Sequence, residues 1–210
     1  MRPLNRSYLL LLAAGLVGFV LLALAYDDEP FSSMDRDVAK WIATDLPHVF
    51  ELASRPFSWL GGWIGLTVLG VATGILLVRE RAWVDIGFLL AALLGTQLVV
   101  GFLKDWFDRP RPDVGSAVPL PSSASFPSGH AAAGAASLGA IAILASEGLP
   151  DHRARTWLWV VVVVAGAAVG LSRIALNVHY VTDVLAGWCF GLAWLAACLL
   201  VRDRLSSGTT

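Results

Sequence analysis

Six long apolar runs separated by short polar connections make up most of this chain. A helix needs about 20 mostly apolar residues, at about 1.5 Å each, to cross the hydrocarbon core of a bilayer. The pattern therefore predicts an all-α fold, an integral membrane bundle of six transmembrane helices in which residues 1–210 form a single domain. The runs extend over Tyr8 to Tyr26, Phe57 to Val78, Trp83 to Leu103, Ala131 to Ala145, Trp157 to Leu176 and Tyr180 to Val201.

Two of the runs differ from the others. The run from Ala131 to Ala145 is the shortest and is rich in alanine and glycine. We expect it to be buried among the other helices, where small residues allow close backbone contact. The first run ends in Ala23-Leu24-Ala25, which resembles a signal-peptide cleavage site. Because that run is longer than a usual signal core, we expect it to remain attached.

Composition places the chain in a membrane and excludes several other classes of protein. Hydrophobic residues make up 57% and charged residues 15% of the chain, whereas soluble domains carry about 25% charged residues. The net charge of −1 excludes a nucleic-acid binder that relies on bulk positive charge. Cys189 and Cys198 face opposite sides of one predicted helix, so neither a disulfide framework nor a cysteine-based zinc site is available.

The positions of lysine and arginine predict the orientation of the bundle, because cytoplasmic loops near helix ends collect positive residues. With the N-terminus in the cytoplasm, two arginines lie near every cytoplasmic helix end, and acidic residues are more frequent in the outer segments. Both termini are therefore expected to be cytoplasmic. The cytoplasmic pairs are Arg2 and Arg6, Arg79 and Arg81, Arg153 and Arg155, and Arg202 and Arg204.

Two further features concern packing. The mixed polar and apolar pattern from Met34 to Ser54 is suited to a helix that lies on the outer membrane surface. Several glycine pairs have the four-residue spacing that permits close helix contact in lipid. Packing within the bundle and a homodimer both explain these pairs, which are Gly61/Gly65, Gly70/Gly74, Gly166/Gly170 and Gly187/Gly191.

Polar clusters interrupt the hydrophobic chain at helix ends that alternating spans place on one face. The first cluster contains Lys104 and Arg111 in a segment stiffened by prolines. These two cations either converge on one locus or extend separately to lipid headgroups. Arg109, two residues before Arg111, is interpreted as a headgroup contact.

Two more clusters carry groups suited to phosphate chemistry. Ser128, Gly129 and His130 stand where a loop turns into the fourth run. The free amides of a helix start form an anion site, to which Ser128 adds a hydroxyl donor. His179 and Asp183 are four residues apart and share a helix face. A carboxylate bonded to the imidazole Nδ1–H leaves Nε2 free as an acceptor or nucleophile.

In this order the clusters resemble the three motifs of the type-2 phosphatidic acid phosphatase superfamily. The matching segments are Lys104-x6-Arg111-Pro112, Pro127-Ser128-Gly129-His130 and Ser172-Arg173-x5-His179-x3-Asp183. The resemblance covers the motif core, residues 104–183. It implies a membrane-embedded phosphatase domain of the lipid phosphate phosphatase branch, while the hydrophobicity argues against the soluble haloperoxidases of the superfamily.

The resemblance also implies a role for each motif residue. His179 is the expected nucleophile, which forms a phosphohistidine, Asp183 orients it, and His130 acts as acid and base. Neither a metal nor a cofactor is expected, because cations of the protein replace Mg²⁺. The expected phosphate-binding residues are Lys104, Arg111, Ser128, Gly129 and Arg173.

The expected substrate is a membrane lipid phosphate, and the expected site faces the extracytoplasmic, periplasmic side of the cell membrane. Undecaprenyl pyrophosphate is favoured, because an outward-facing site would recycle it where it is released. Phosphatidylglycerophosphate and phosphatidic acid are the alternatives. Three other interpretations stay open: a lipid-linked phosphotransferase, a non-enzymatic lipid transporter, and a metal site formed by His130, His179 and Asp183.

Overall fold

A computed structural model describes residues 5–207, and this part of the chain contains helices and loops but no strand. Arg2, one of the arginines used to predict orientation, lies outside the described residues. The all-α fold class is confirmed for residues 5–207. The helices are α1 (Arg6–Ala25), α2 (Phe31–Asp45), α3 (His48–Leu60), α4 (Trp63–Glu80), α5 (Trp83–Phe107), α6 (Gly129–Glu147), α7 (His152–Ala175) and α8 (Val181–Ser207).

Six of these helices, α1 and α4 to α8, are long and apolar enough to cross a membrane, which confirms the predicted number of spans in the described part of the chain. Two of the spans are not regular α-helices throughout. Helix α5 contains a π-helical turn at Ala91–Gly95, and α6 contains another at Gly134–Leu138. In α5 the indole Nε1–H of Trp194 donates to the carbonyl oxygen of Ala91 at 2.9 Å, so the wide turn is tied to α8.

The second predicted span is wrong at its N-terminal end. Helix α3 ends at Leu60 and the spanning helix α4 begins at Trp63, after a break at Gly61 and Gly62. Gly61 is pressed against α7, since a Cβ added there would lie 2.1 Å from Val169 Cγ1. The apolar residues before the break therefore belong to a separate helix that packs along α7.

The segment predicted as one surface helix, Met34 to Ser54, forms two helices instead. Pro47 separates α2 from α3, and the residue before it, Leu46, is extended with ψ of 121°, as steric conflict with a following proline requires. Helix α2 buries Asp35 together with Ala39 and Ile42. A carboxylate thus stands in the inward-facing stripe of a surface helix.

Helices α6 and α8 form the centre of the bundle. In each, 56% of the most apolar window is buried, against 11% in α1, so the expected burial of the fourth run is confirmed. A Cβ added at Gly187 would lie 2.6 Å from the carbonyl oxygen of Ser128, and one at Gly191 would lie 2.4 Å from that of Ala132. This glycine pair therefore serves packing within the bundle, and the homodimer stays a prediction.

An aromatic cluster fixes the loop between α5 and α6 to the bundle. Phe126 is fully buried. Its ring stacks on Tyr26 with centroids 4.8 Å apart and meets Phe107 edge-on at 4.9 Å. Aromatic pairs of this kind contribute about 0.5–1.5 kcal/mol beyond the burial of their area. Because Phe126 lies between Ser125 and Ser128 in the chain, the cluster holds both serines in place.

At the end of the bundle where α8 finishes, an arginine forms ion pairs with carboxylates of two other helices. Arg202 on α8 donates from Nε to Asp85 at 2.6 Å and from its two terminal nitrogens to Glu147 at 2.7 and 2.9 Å. One of the arginines behind the orientation prediction is thus paired within the protein, and the orientation stays a prediction. Cys189 and Cys198 are both free thiols, as expected from their spacing.

Replacing Gly191 by alanine is expected to lower the melting temperature of the protein in detergent, because the added methyl group would meet the Ala132 carbonyl at 2.4 Å. Overpacking of a core costs about 1–3 kcal/mol. The matched control is Gly74→Ala, since nothing lies within 4 Å of a Cβ there. Fluorescence-detected melting of both variants checks this, and equal melting temperatures would contradict the close contact of α6 with α8.

Candidate active site

Four helix ends bring the predicted motif residues to one face of the bundle. Lys104 is in the last turn of α5, Ser128 caps the start of α6, Arg173 is in the last turn of α7 and Asp183 is in the first turn of α8. The backbone N–H of Ser128 donates to the carbonyl oxygen of Asp183 at 2.9 Å. This bond joins the N-terminal ends of α6 and α8 at the level of the site.

His179 has the geometry of an oriented nucleophile. Its side chain is 3% exposed, and Nδ1 lies 3.3 Å from Asp183 Oδ2 and 3.3 Å from Ser125 Oγ. On the other side of the ring, Nε2 lies 3.2 Å from a terminal nitrogen of Arg111. A guanidinium only donates, so Nε2 is the acceptor and Nδ1 carries the proton. The lone pair of Nε2 therefore faces the cationic side of the site.

Burial lowers the pKa of His179 to about 4, although Asp183 acts in the opposite direction. The ordinary pKa of a histidine side chain is about 6.5. At neutral pH the imidazole is therefore uncharged. An uncharged ring keeps the Nε2 lone pair that a nucleophile needs.

Three cations of this face have no carboxylate partner among the described residues. Lys104 Nζ donates to the carbonyl oxygens of Ala124 and Ser125, the latter at 3.3 Å. Arg111 donates to the carbonyl oxygens of Val178 at 2.7 Å and Ser123 at 2.9 Å. The guanidinium of Arg173 donates to the hydroxyl of Ser58. Neutral partners leave these positive charges available to an anion.

Two buried polar atoms at these helix ends have no hydrogen-bond partner among the described residues. They are Ser128 Oγ and Arg173 Nε. A buried donor left unsatisfied costs about 1–3 kcal/mol, so such atoms call for an explanation. An anion with several oxygens, bound at this face, would offer an acceptor to each of them.

Gly129, which was predicted to bind phosphate, lies beside Lys104. A Cβ added at Gly129 would lie 3.9 Å from Lys104 Cε and 3.6 Å from Val100 Cγ1. Both distances are ordinary van der Waals contacts. Space therefore does not demand glycine here, and the expectation for Gly129 rests on its backbone.

His130 occupies the more open side of the site. Its ring is half-buried and lies within electrostatic range of Arg173, His179, Lys104 and Arg111. The Nε2 atom would be 3.5 Å from a Cβ placed at Gly62, so the ring reaches toward the break between α3 and α4. The two histidines thus approach one space, His179 from the buried side and His130 from the accessible side.

A metal site formed by His130, His179 and Asp183 does not fit this arrangement. Within residues 5–207 no group of three or more His, Cys, Asp or Glu side chains is placed to hold a metal ion. Both oxygens of Asp183 already accept hydrogen bonds, from Arg109 and from Ser125. The adjacent cations would also repel a metal ion.

Comparison with known proteins identifies the family. A family model described as the PAP2 superfamily matches residues 85–207, a range that contains every motif residue from Lys104 to Asp183. The chain belongs to the PAP2 superfamily. The resemblance inferred from the three motifs is confirmed.

The relatives of this chain differ in how much of its length they match. Phosphatidylglycerophosphatase B of Bacillus subtilis is 32% identical over 184 residues, which are 83% of this chain and 86% of that protein. An undecaprenyl-diphosphatase of Sulfolobus acidocaldarius is 33% identical over 78 residues, which are 37% of this chain and 33% of that protein. The crystal structure of a transmembrane PAP2 type phosphatidylglycerolphosphate phosphatase from Bacillus subtilis superposes with a TM-score of 0.85 at 27% identity, over 92% of this chain and 96% of that one.

The PAP2 protein is therefore a multi-pass membrane enzyme, a phosphatase that hydrolyses lipid phosphate esters or pyrophosphates. This confirms the enzyme class expected from the motifs and argues against a non-enzymatic lipid transporter. The preferred lipid is not decided by the comparisons, because the relatives differ in the lipids that their names contain.

The interpretation of Arg109 as a headgroup contact is wrong. The side chain is only 8% exposed and bonds two buried carboxylates, Asp183 at 2.5 Å and Asp35 at 2.9 Å. Burial acts to lower the pKa of Arg109, but the two carboxylates outweigh it and raise the pKa. Among the described residues Arg111 contacts no carboxylate, and burial lowers its pKa although the charge of Asp183 acts in the opposite direction. The two neighbouring arginines thus have opposite surroundings.

Asp35 and Ser58 are among the residues at the PAP2 site that the sequence analysis missed. Both precede residues 85–207, the part that the family model matches. Asp35 could have been suspected, because it falls in the stripe that α2 buries with Ala39 and Ile42. Ser58 carried no comparable signal, since the break that turns it toward Arg173 was hidden inside an apolar run.

The imidazole of His179 is expected to stay uncharged at pH values well below those at which an ordinary histidine becomes protonated, because burial lowers its pKa to about 4. Nitrogen-15 NMR of histidine-labelled protein in detergent, titrated downward from pH 7, checks this. The spectrum of His179→Gln identifies the signal by its loss. A His179 signal that becomes that of an imidazolium near pH 6.5 would contradict the buried, neutral state.

Proposed function

We propose that this enzyme removes the terminal phosphate of a membrane lipid through a phosphohistidine on His179. The position of Nε2 supports this most strongly: the atom lies 3.2 Å from the Arg111 guanidinium, on the face where Lys104 and Arg173 also lack carboxylate partners among the described residues. In the first step a bond forms between Nε2 and phosphorus, and the bond from phosphorus to the lipid oxygen breaks. Asp183, 3.3 Å from Nδ1, balances the positive charge that develops on the ring.

His130 is the proposed proton carrier for both halves of the reaction. In the first half it donates a proton to the departing lipid oxygen. In the second half it takes a proton from water, whose oxygen attacks phosphorus while the bond to Nε2 breaks and phosphate leaves. The half-buried position of His130 supports this role, because water must reach it. General acid–base catalysis of this kind contributes about 10²- to 10⁴-fold.

Lys104, Arg111, Arg173 and Ser128, with the backbone at Gly129, are the proposed phosphate-binding groups. The charge of a transferring phosphoryl group spreads over its equatorial oxygens, and fixed positive groups stabilise it. The unpartnered Ser128 Oγ and Arg173 Nε support the assignment of both residues. Because these cations act where a divalent ion acts in other phosphoryl-transfer enzymes, we propose that activity is independent of added metal.

The proposed location of the site is the extracytoplasmic face of the cell membrane. The turn that carries Arg79 and Arg81 precedes α5, and Lys104 is near the other end of that helix. Helix α5 has 25 residues, so at 1.5 Å per residue roughly 35 Å separates its two ends. An arginine-rich cytoplasmic end would therefore leave the catalytic residues at the opposite surface, among the lipid headgroups.

Among lipids, phosphatidylglycerophosphate is our first candidate. The relative named phosphatidylglycerophosphatase B matches 83% of this chain, whereas the undecaprenyl-diphosphatase matches 37%. Undecaprenyl pyrophosphate, the lipid favoured from the sequence, remains the second candidate, because an outward-facing site would meet it where it is released. Phosphatidic acid is the third.

Replacing His179 by glutamine is expected to lower turnover at least about 10³-fold, because the nucleophile is lost. Replacing His130 by glutamine is expected to lower it about 10²- to 10⁴-fold and to leave phosphate on His179. Rapid quenching with lipid labelled in the terminal phosphate, followed by acid-lability analysis, detects this phosphohistidine. The exposed His152 supplies the matched control His152→Gln, which should turn over normally. Unchanged turnover by a folded His179→Gln would contradict the mechanism.

Phosphate release from purified protein is expected to be faster with phosphatidylglycerophosphate than with undecaprenyl pyrophosphate or phosphatidic acid, and slow with glycerol phosphate, which has no lipid tail. Release without any added acceptor favours hydrolysis over a lipid-linked phosphotransferase. Equal rates with and without EDTA are expected. A rate that vanishes in EDTA and returns with a divalent ion would contradict metal independence, and a preference for undecaprenyl pyrophosphate would reverse the order of substrates.

A further inference from the structure

A buried charge network extends from the surface helix α2 to the nucleophile. Asp35 on α2, Arg109 in the loop after α5 and Asp183 on α8 are 1%, 8% and 0% exposed, respectively. From their contacts we infer that Arg109, anchored by Asp35, is a positioning residue that holds the Asp183 carboxylate against His179. The inference rests on the proposed role of His179 as nucleophile.

Every terminal nitrogen of Arg109 is occupied within the protein. One donates to Asp183 Oδ1 at 2.5 Å and to Thr182 Oγ1 at 2.8 Å. The other donates to Asp35 Oδ2 at 2.9 Å. The guanidinium is also stacked between the rings of Tyr26 and Tyr180, at 4.5 and 4.4 Å from their centroids. With both terminal nitrogens bonded to groups of the protein, Arg109 acts through Asp183.

The two oxygens of Asp183 accept hydrogen bonds from different groups. Oδ1 accepts from Arg109, whereas Oδ2 accepts from the backbone N–H of Tyr180 at 2.9 Å, from Ser125 Oγ and from His179 Nδ1. A carboxylate held at both oxygens cannot rotate about its terminal bond. The bond from Arg109 thus keeps Oδ2 directed at the imidazole, which fixes the proton on Nδ1 and the lone pair on Nε2.

Asp35 holds Arg109 and the start of α8 together. Its Oδ1 accepts from the backbone N–H of Thr182 at 3.2 Å, and its Oδ2 accepts from Thr182 Oγ1 and from Arg109. A carboxylate at a helix N-terminus also interacts favourably with the helix dipole. The residue therefore fixes Arg109 relative to the turn of α8 that carries Asp183.

The charges of the network suit the proposed reaction. One guanidinium between two carboxylates leaves a single negative charge in the buried group. When His179 is phosphorylated its ring becomes positive, and this remaining charge offsets it. Without Arg109, two buried carboxylates would face each other with no cation between them, so Asp183 could not keep both its charge and its direction.

The test compares Arg109→Met, Arg109→Lys and Asp35→Asn in steady-state kinetics with the lipid phosphate that the wild type hydrolyses. The asparagine variant keeps an oxygen for Thr182 but loses the charge that anchors Arg109. We expect kcat to fall roughly 10- to 100-fold in Arg109→Met, by analogy with the loss of hydrogen-bond partners that orient histidine and carboxylate ligands in metalloenzymes, with KM within about twofold. Lysine, which keeps the charge without the fork, should restore part of kcat. Arg36→Gln, an exposed change on α2, is the matched control and should leave both constants unchanged.

Arg109→Met leaves two buried carboxylates without a cation, so its folding is checked by melting, and the double variant Asp35→Asn/Arg109→Met removes one of those charges. If Asp35 acts through Arg109, kcat of the double variant equals that of Arg109→Met. A folded Arg109→Met or Asp35→Asn with wild-type kcat overturns the inference, as does a rise in KM alone, which would place the guanidinium on the substrate. A wild type that releases no phosphate from any lipid would instead reject the proposed function.

Discussion

The burial of one carboxylate, that of Asp183, is the interaction on which the catalytic face depends. An isolated carboxylate inside a bilayer is costly, and removing a partner of a buried ion pair destabilises a protein by about 3–5 kcal/mol. Asp183 is satisfied by four donors from Arg109, Ser125, Tyr180 and His179. Two of them belong to the loop between α5 and α6 and two to the turn before α8. Satisfying this one group therefore requires the loop and the turn to dock together.

Close packing of small residues makes that docking possible. The hydrogen bond from Ser128 N to the Asp183 carbonyl requires the starts of α6 and α8 to be adjacent. One turn further into the bundle, the absence of a side chain at Gly187 allows the Ser128 carbonyl to approach α8. In lipid, where burial from water cannot drive helices together, van der Waals contact of this kind stabilises the bundle. The glycine pair and the catalytic hydrogen bonds are thus parts of one arrangement.

The sequence predicts the parts of this arrangement that depend on short spacing and motif order. The four-residue spacing of His179 and Asp183 brings their side chains into contact, although His179 precedes the start of α8 at Val181 and does not lie on the helix as predicted. The apolar runs reveal the six spans with ends within six residues of the observed ones. Asp35 was not predicted, because its partner Arg109 is 74 residues away and no local pattern links the two. Arg109 was misassigned for the same reason: two arginines separated by one proline look alike until their partners are known. The break at Gly61 and Gly62 was hidden by the apolar residues on both sides.

Partner chemistry separates the cations that hold the fold from those available to a substrate. Arg109 and Arg202 bond carboxylates, whereas Lys104, Arg111 and Arg173 bond carbonyl, hydroxyl or imidazole groups. With a neutral nucleophile, the four lysine and arginine side chains of the catalytic face exceed its two buried carboxylates by two charges, and the proton that His130 donates in the proposed first step adds a third. A phosphomonoester carries about 1.5 to 2 negative charges at neutral pH and therefore offsets more of this excess than a phosphodiester, which carries one. The charge balance of the site thus favours a terminal phosphate over the diester that links the headgroup of an ordinary phospholipid.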